Sequence, residues 1–73
     1  MRRFRLYWSG GMRSNNSAEY LLDWAGRCLP NRHANLFDGE EYICTIKMGE
    51  LGTAPAYSIN DFEVGYDDII ALL

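Results

Sequence analysis

The sequence predicts a small α+β domain: an antiparallel sheet in the order β-α-β-β-β-α, covered by one well-defined amphipathic helix and a short C-terminal helix. Three observations predict it. Phe4, Leu6 and Trp8 alternate with Arg3, Arg5 and Tyr7, the period of a half-buried strand. Ala18, Leu21, Leu22, Ala25, Cys28 and Leu29 repeat at helical spacing. Asp38-Gly39 lies between two apolar stretches, the strongest short hairpin signal.

Taken in order, the first strand ends at Ser9-Gly10-Gly11, and Asn15-Asn16 prolongs a polar loop. Asn16 and Glu19 have capping-box spacing and open the helix. Its polar face carries Glu19, Asp23 and Arg27, the last two an i,i+4 pair, and Pro30 stops it. Pro30–His33 reads as a turn. Strands are expected over residues 34–37 and 40–48, with Tyr42, Cys44, Ile46 and Met48 on one face and Ile43, Thr45 and Lys47 on the other. A loop through Pro55 leads to a short strand at Ala56–Ile59. That strand either extends to Val64 or turns at Asn60-Asp61. Asp67-Asp68 before Ile69, Ile70, Leu72 and Leu73 predicts a last helix with acid at its positive end.

At 73 residues the chain has room for one domain, residues 1–73, with a thin core. Ten aromatic residues and a hydrophobic fraction of 48% mark it as folded, and a homodimer would extend its core. No apolar run reaches membrane-spanning length, and Met1-Arg2-Arg3 leads directly into the first strand, so a cytoplasmic location is expected. Cys28 and Cys44 show no metal or redox spacing. Both are expected inward as small apolar residues, and the sequence leaves open whether they are reduced or joined as a disulfide.

Charge is divided along the chain. Residues 1–35 carry six arginines against Glu19 and Asp23, a local charge of +4; residues 36–73 carry Lys47 against eight carboxylates, −7, for a total of −3. A basic partner for the second half, or an acidic one for the first, follows from this division.

Leu6–Ser14 resembles the SGGxDS signature of the PP-loop ATP pyrophosphatases, with Ser9, Gly10, Gly11 and Ser14 matching. The resemblance would imply a loop whose backbone N–H groups hold a pyrophosphate. It covers only residues 4–22, Arg13 stands where that family has an acid, and the chain is too short for a doubly wound parallel sheet. A plain turn is the expectation. His33 is the only histidine and is predicted in a turn away from both thiols. Asp67 and Asp68, being adjacent on a helix, do not face each other. No catalytic constellation, metal site or cofactor is expected.

In size, acidic balance and α+β plan, the chain resembles the small phage- and mobile-element-encoded inhibitors of bacterial defence, the anti-CRISPR type, which share no motif. The resemblance implies non-catalytic, stoichiometric blocking of a basic, nucleic-acid-binding or catalytic surface on a larger bacterial protein or ribonucleoprotein complex. The partner-binding candidates are Asp38, Glu40, Glu41, Glu50, Asp61, Glu63, Asp67 and Asp68, alongside Tyr42, Tyr57 and Tyr66. The alternative is a nucleic-acid-binding or transcription-regulating module using Arg2, Arg3, Arg5 and Arg13 with neighbouring aromatics.

Overall fold

A computed structural model describes residues 2–73; Met1, the start of the Met1-Arg2-Arg3 lead, lies outside the described residues. Eight elements follow one another: β1 (Phe4–Trp8), β2 (Gly11–Asn15), α1 (Ala18–Cys28), β3 (His33–Asp38), β4 (Glu41–Lys47), β5 (Ala56–Ile59), β6 (Phe62–Val64) and α2 (Tyr66–Ala71). The strands form one antiparallel sheet in the order β2-β1-β3-β4-β5-β6. The small α+β architecture with one main helix and a short C-terminal one is as the sequence predicts, with two additional strands.

The first addition is β2. Residues 11–15, expected as loop, turn back through Ser9-Gly10 and pair with β1 from Trp8↔Gly11 to Phe4↔Asn15. Gly10 is required by close approach, since a Cβ there would lie 2.8 Å from Trp8 Nε1. The second addition resolves the open choice after Ile59. Asn60 and Asp61 both take positive φ, 49° and 70°, which is type I′ hairpin geometry, and Ile59 pairs with Phe62 across it.

The β3–β4 loop is Gly39-Glu40, one residue beyond the expected pair, because Asp38 remains in β3 opposite Glu41. Gly39 has φ 63°, the conformation glycine supplies at the first position of a type II′ turn. Further along β4 the register shifts: Leu36 opposes Cys44 but Phe37 opposes Tyr42, so Ile43 is the extra residue of a bulge. One extra residue reverses the alternation. Tyr42 therefore leaves the face of Cys44, Ile46 and Met48, where it was expected, and joins Phe37 and Thr45. Ile43 packs against the core instead.

The N-cap of helix α1 falls one residue after the expected Asn16. Ser17 is the N-cap, its hydroxyl accepting from Tyr20 N at 3.2 Å, while Asn15 Oδ1 accepts from Ser17 N at 2.9 Å. Ala18, Leu21, Leu22, Ala25 and Leu29 face the sheet. Cys28, expected inward, is exposed, because at 100° per residue it falls about 80° from the axis of that stripe. Both cysteines are free, so no disulfide joins them.

All the buried side chains form one cluster. Phe4, Leu6, Leu36, Cys44 and Ile46 from the sheet meet Leu21 and Leu22 of α1 and Ile69 of α2. The helices therefore cover one sheet face and leave the other open.

Candidate functional sites: an acid-rimmed groove and an open sheet face

The helix side of the molecule carries a groove of about 570 Å³ between α1, residues 51–55 and the start of α2. Gly26 of α1 lies against Pro55 at the groove, where a Cβ would make an ordinary van der Waals contact at 3.4 Å. Leu22 and Tyr57 line it from within, and Leu51, 72% exposed, stands at its rim. Tyr57 projects from the core side of β5, opposite Ile46, and its ring lies 5.6 Å from that of Tyr66 at a tilt of 56°.

Asp23 lines the groove together with this tyrosine pair. Burial, and then the neighbouring Tyr66, Cys44 and Asp23, push the Tyr57 hydroxyl above its ordinary value of 10.0. Tyr66 is raised likewise, by burial first and then by Glu19, Asp23 and Asp67. Acids from two helices thus lie near one ring. Only Asp67 among them belongs to the predicted acidic set; Glu19 and Asp23 were assigned to the solvated face of α1. Their i,i+4 spacing on one helix face was the available signal. Asp23 also accepts an ion pair from Arg27 at 3.0 Å, with both side chains well exposed.

The other predicted carboxylates do not join one patch. Asp38 accepts two hydrogen bonds from Arg2, at 2.9 Å from Nε and 2.6 Å from Nη2. Glu40 lies in the β3–β4 loop, Glu41 at the start of β4, and Glu50 in the β4–β5 loop, where its carbonyl accepts from Thr53. Asp61 occupies the β5–β6 turn, and Glu63 is on the edge strand opposite Ser58. Asp68 accepts from Gly65 N at 2.9 Å and closes the first turn of α2. Of the eight, Asp38 alone has an ion-pair partner among the described residues.

The open face is built by register. Met12, Tyr7, Asn35, Thr45 and Ser58 form one cross-strand row, and Ser14, Arg5, Phe37 and Tyr42 the next. Phe37 meets Tyr7 edge-on at 5.5 Å and Tyr42 at 5.8 Å. Thr45 donates its one hydroxyl proton to Asn35 Oδ1 at 2.7 Å, so Tyr42 is the donor in its own 2.7 Å bond to Thr45. Tyr7 remains 38% exposed and Met12 49%.

The four arginines of the nucleic-acid alternative divide. Arg5 lies on the open face, and Arg3 joins it by donating to Ser14 at 3.1 Å. Arg2 is held by Asp38 and lies over the Phe4 ring at 4.8 Å. Arg13, opposite Leu6 in register, is on the helix side, 4.6 Å over Trp24 and bonded to the Tyr20 hydroxyl. The Gly10-Gly11 segment runs into β2, not into a helix, so the anion-binding helix terminus that a PP-loop needs does not follow it.

Cys44 is sequestered at the centre of the core, and burial pushes its thiol up to about 11. His33 is exposed at the start of β3, opposite Lys47. Among the described residues no group of three or more His, Cys, Asp or Glu side chains is arranged to hold a metal, and no helix is long and apolar enough to cross a membrane. Comparison with protein-family models, curated proteins and solved structures finds no match to the chain.

Proposed function

We propose that the chain is a non-catalytic binding protein that engages a basic partner through the edge formed by α1 and α2. One observation carries this reading: Asp23 lines an apolar groove with Tyr57 and Tyr66, and Glu19 and Asp67, outside that lining, add negative charge felt at Tyr66. Apolar area supplies affinity there, and the acidic rim supplies steering and orientation. Tyrosine is also a residue type of which interface hot spots are made. Glu40, Glu41, Glu50, Asp61 and Glu63, without ion-pair partners among the described residues, add a long-range field of the same sign. The partner in this reading is a bacterial protein or ribonucleoprotein complex with a basic site, and the chain is its stoichiometric inhibitor, of the anti-CRISPR type, working in the cytoplasm.

An affinity pull-down from bacterial lysate, with and without nuclease, tests the reading. The expected result is a stoichiometric protein partner that survives nuclease and whose affinity falls as salt is raised. Capture that is lost with nuclease would overturn it and favour the second reading, direct nucleic-acid binding on the open face. That reading is supported by the Tyr7–Phe37–Tyr42 row beside Arg3 and Arg5, since aromatic rings flanked by cations are what single-strand platforms use. It keeps two of its four arginines, because Arg2 and Arg13 are engaged elsewhere.

A further inference from the structure

We propose that the groove between α1 and α2 is an arginine socket, in which a single guanidinium of the partner stacks on Tyr66 and is met by Asp23. This rests on the basic-partner reading and specifies which chemical group the acidic edge recognises. The socket has the three parts such recognition needs. Tyr66 and Tyr57 present tilted, adjacent ring faces, and a cation within about 6 Å of a ring centroid is attracted by its quadrupole. Leu22, Leu51 and Pro55 offer apolar surface to the three methylenes of an arginine stem. Asp23, the one acid in the lining, provides a carboxylate that accepts two parallel N–H bonds, and Glu19 and Asp67, outside the lining, add negative field at Tyr66.

Arginine suits the site better than lysine because its planar head stacks and forks at once, whereas an ammonium is a strongly hydrated point charge. The same molecule already shows the arrangement elsewhere: Arg13 lies 4.6 Å over Trp24 while donating to Tyr20. Arg27 is the resident competitor. Its guanidinium pairs with Asp23 at 3.0 Å in an exposed position, where such pairs contribute little, so an incoming arginine that also stacks on Tyr66 displaces it. This competition gives the proposal a signature that general acidity does not, for removal of a native cation from the rim must tighten binding.

The test is a titration of the full-length, isotopically labelled chain with the capped pentapeptide Gly-Gly-Arg-Gly-Gly, followed by NMR. The same peptide with citrulline or lysine in place of arginine serves as comparison. Shifts should concentrate on Leu22, Gly26, Leu51, Tyr57 and Tyr66. Citrulline, isosteric but neutral, should bind about tenfold more weakly or worse, in keeping with loss of both cation–π and charge-assisted contacts. Tyr66→Ala should weaken the arginine peptide by about threefold to thirtyfold. Asp23→Asn, at an exposed position that leaves the core untouched, should weaken it in the same direction, and Arg27→Gln should strengthen it. Equal binding of the citrulline or lysine peptide, shifts centred on the open sheet face, or an Arg27→Gln variant that binds no better would each overturn the socket. If the socket fails while a captured partner is still released by Glu19→Lys/Asp67→Lys, the basic-partner reading stands alone. If that charge reversal also leaves the partner bound, both fall.

Discussion

Replacing Ile69 by alanine tests how the groove is held together. Helix α2 has six residues, far below the roughly 12–15 at which an isolated helix becomes even marginal in water. Beyond its own backbone bonds its local support is the Asp68 carboxylate on Gly65 N, so packing must hold it in place. Ile69 is the one residue of α2 that is fully buried, at 0% exposure, and it contacts the same cluster as α1 and the central strands. A buried Ile→Ala change costs about 2–5 kcal/mol. A chain of 73 residues has a total stability of about 4–11 kcal/mol at 0.05–0.15 kcal/mol per residue. Ile69→Ala should therefore remove a large share of the whole, read by urea denaturation at equilibrium. Leu72→Ala, at 61% exposure in the same segment, should stay within about 0.5 kcal/mol. Hydrogen exchange adds the local view, with amides 68–73 in Ile69→Ala losing protection before those of β3. An Ile69→Ala variant as stable as Leu72→Ala would refute the claim that α2, with Tyr66 and Asp67, is docked by core packing.

Two further outcomes follow from the cysteines. Burial holds the Cys44 thiol protonated to about 11 against its ordinary 9.0, so between those values the unfolded chain has lost a proton that the folded chain keeps. Stability should thus be fully present below pH 9 and fall by about 2–3 kcal/mol as pH rises to 11, with a flatter profile in Cys44→Ala; Tyr57 acts in the same direction above its own ordinary value. Under native conditions a thiol reagent should modify exposed Cys28 quickly and Cys44 only after denaturant is added. Rapid modification of both would contradict the buried position of Cys44.

Much of this fold was legible because its signals are periodic. The stripe of α1, the alternation in β1 and the Asp38-Gly39 punctuation each report a half-buried element directly. Strand β2 was not legible for a physical reason: an edge strand whose residues 11–15 are polar or exposed needs only backbone pairing with β1, so no alternation marks it. The bulge at Ile43 left no trace either, and it alone decides that Tyr42 belongs to the open face. The division of charge along the chain was correct as arithmetic but misleading as geometry. Glu19 and Asp23 lie in the basic half yet act together with Asp67 on Tyr66, while Asp38 in the acidic half is neutralised by Arg2. The groove draws on residues 22 to 66, which tertiary packing brings together, including that of Ile69 into the core and the pairing of Tyr57 opposite Ile46.

In the proposed function the acidic α1–α2 edge holds a basic partner. Its most direct test compares three baits in the same lysate pull-down after nuclease treatment: the native chain, Glu19→Lys/Asp67→Lys and Arg3→Glu/Arg5→Glu. All four positions are on the surface, so each variant should remain folded by circular dichroism. The partner should be lost with the first pair of reversals and kept with the second. A partner retained by Glu19→Lys/Asp67→Lys and lost with Arg3→Glu/Arg5→Glu would contradict it and move the working surface to the open face of the sheet.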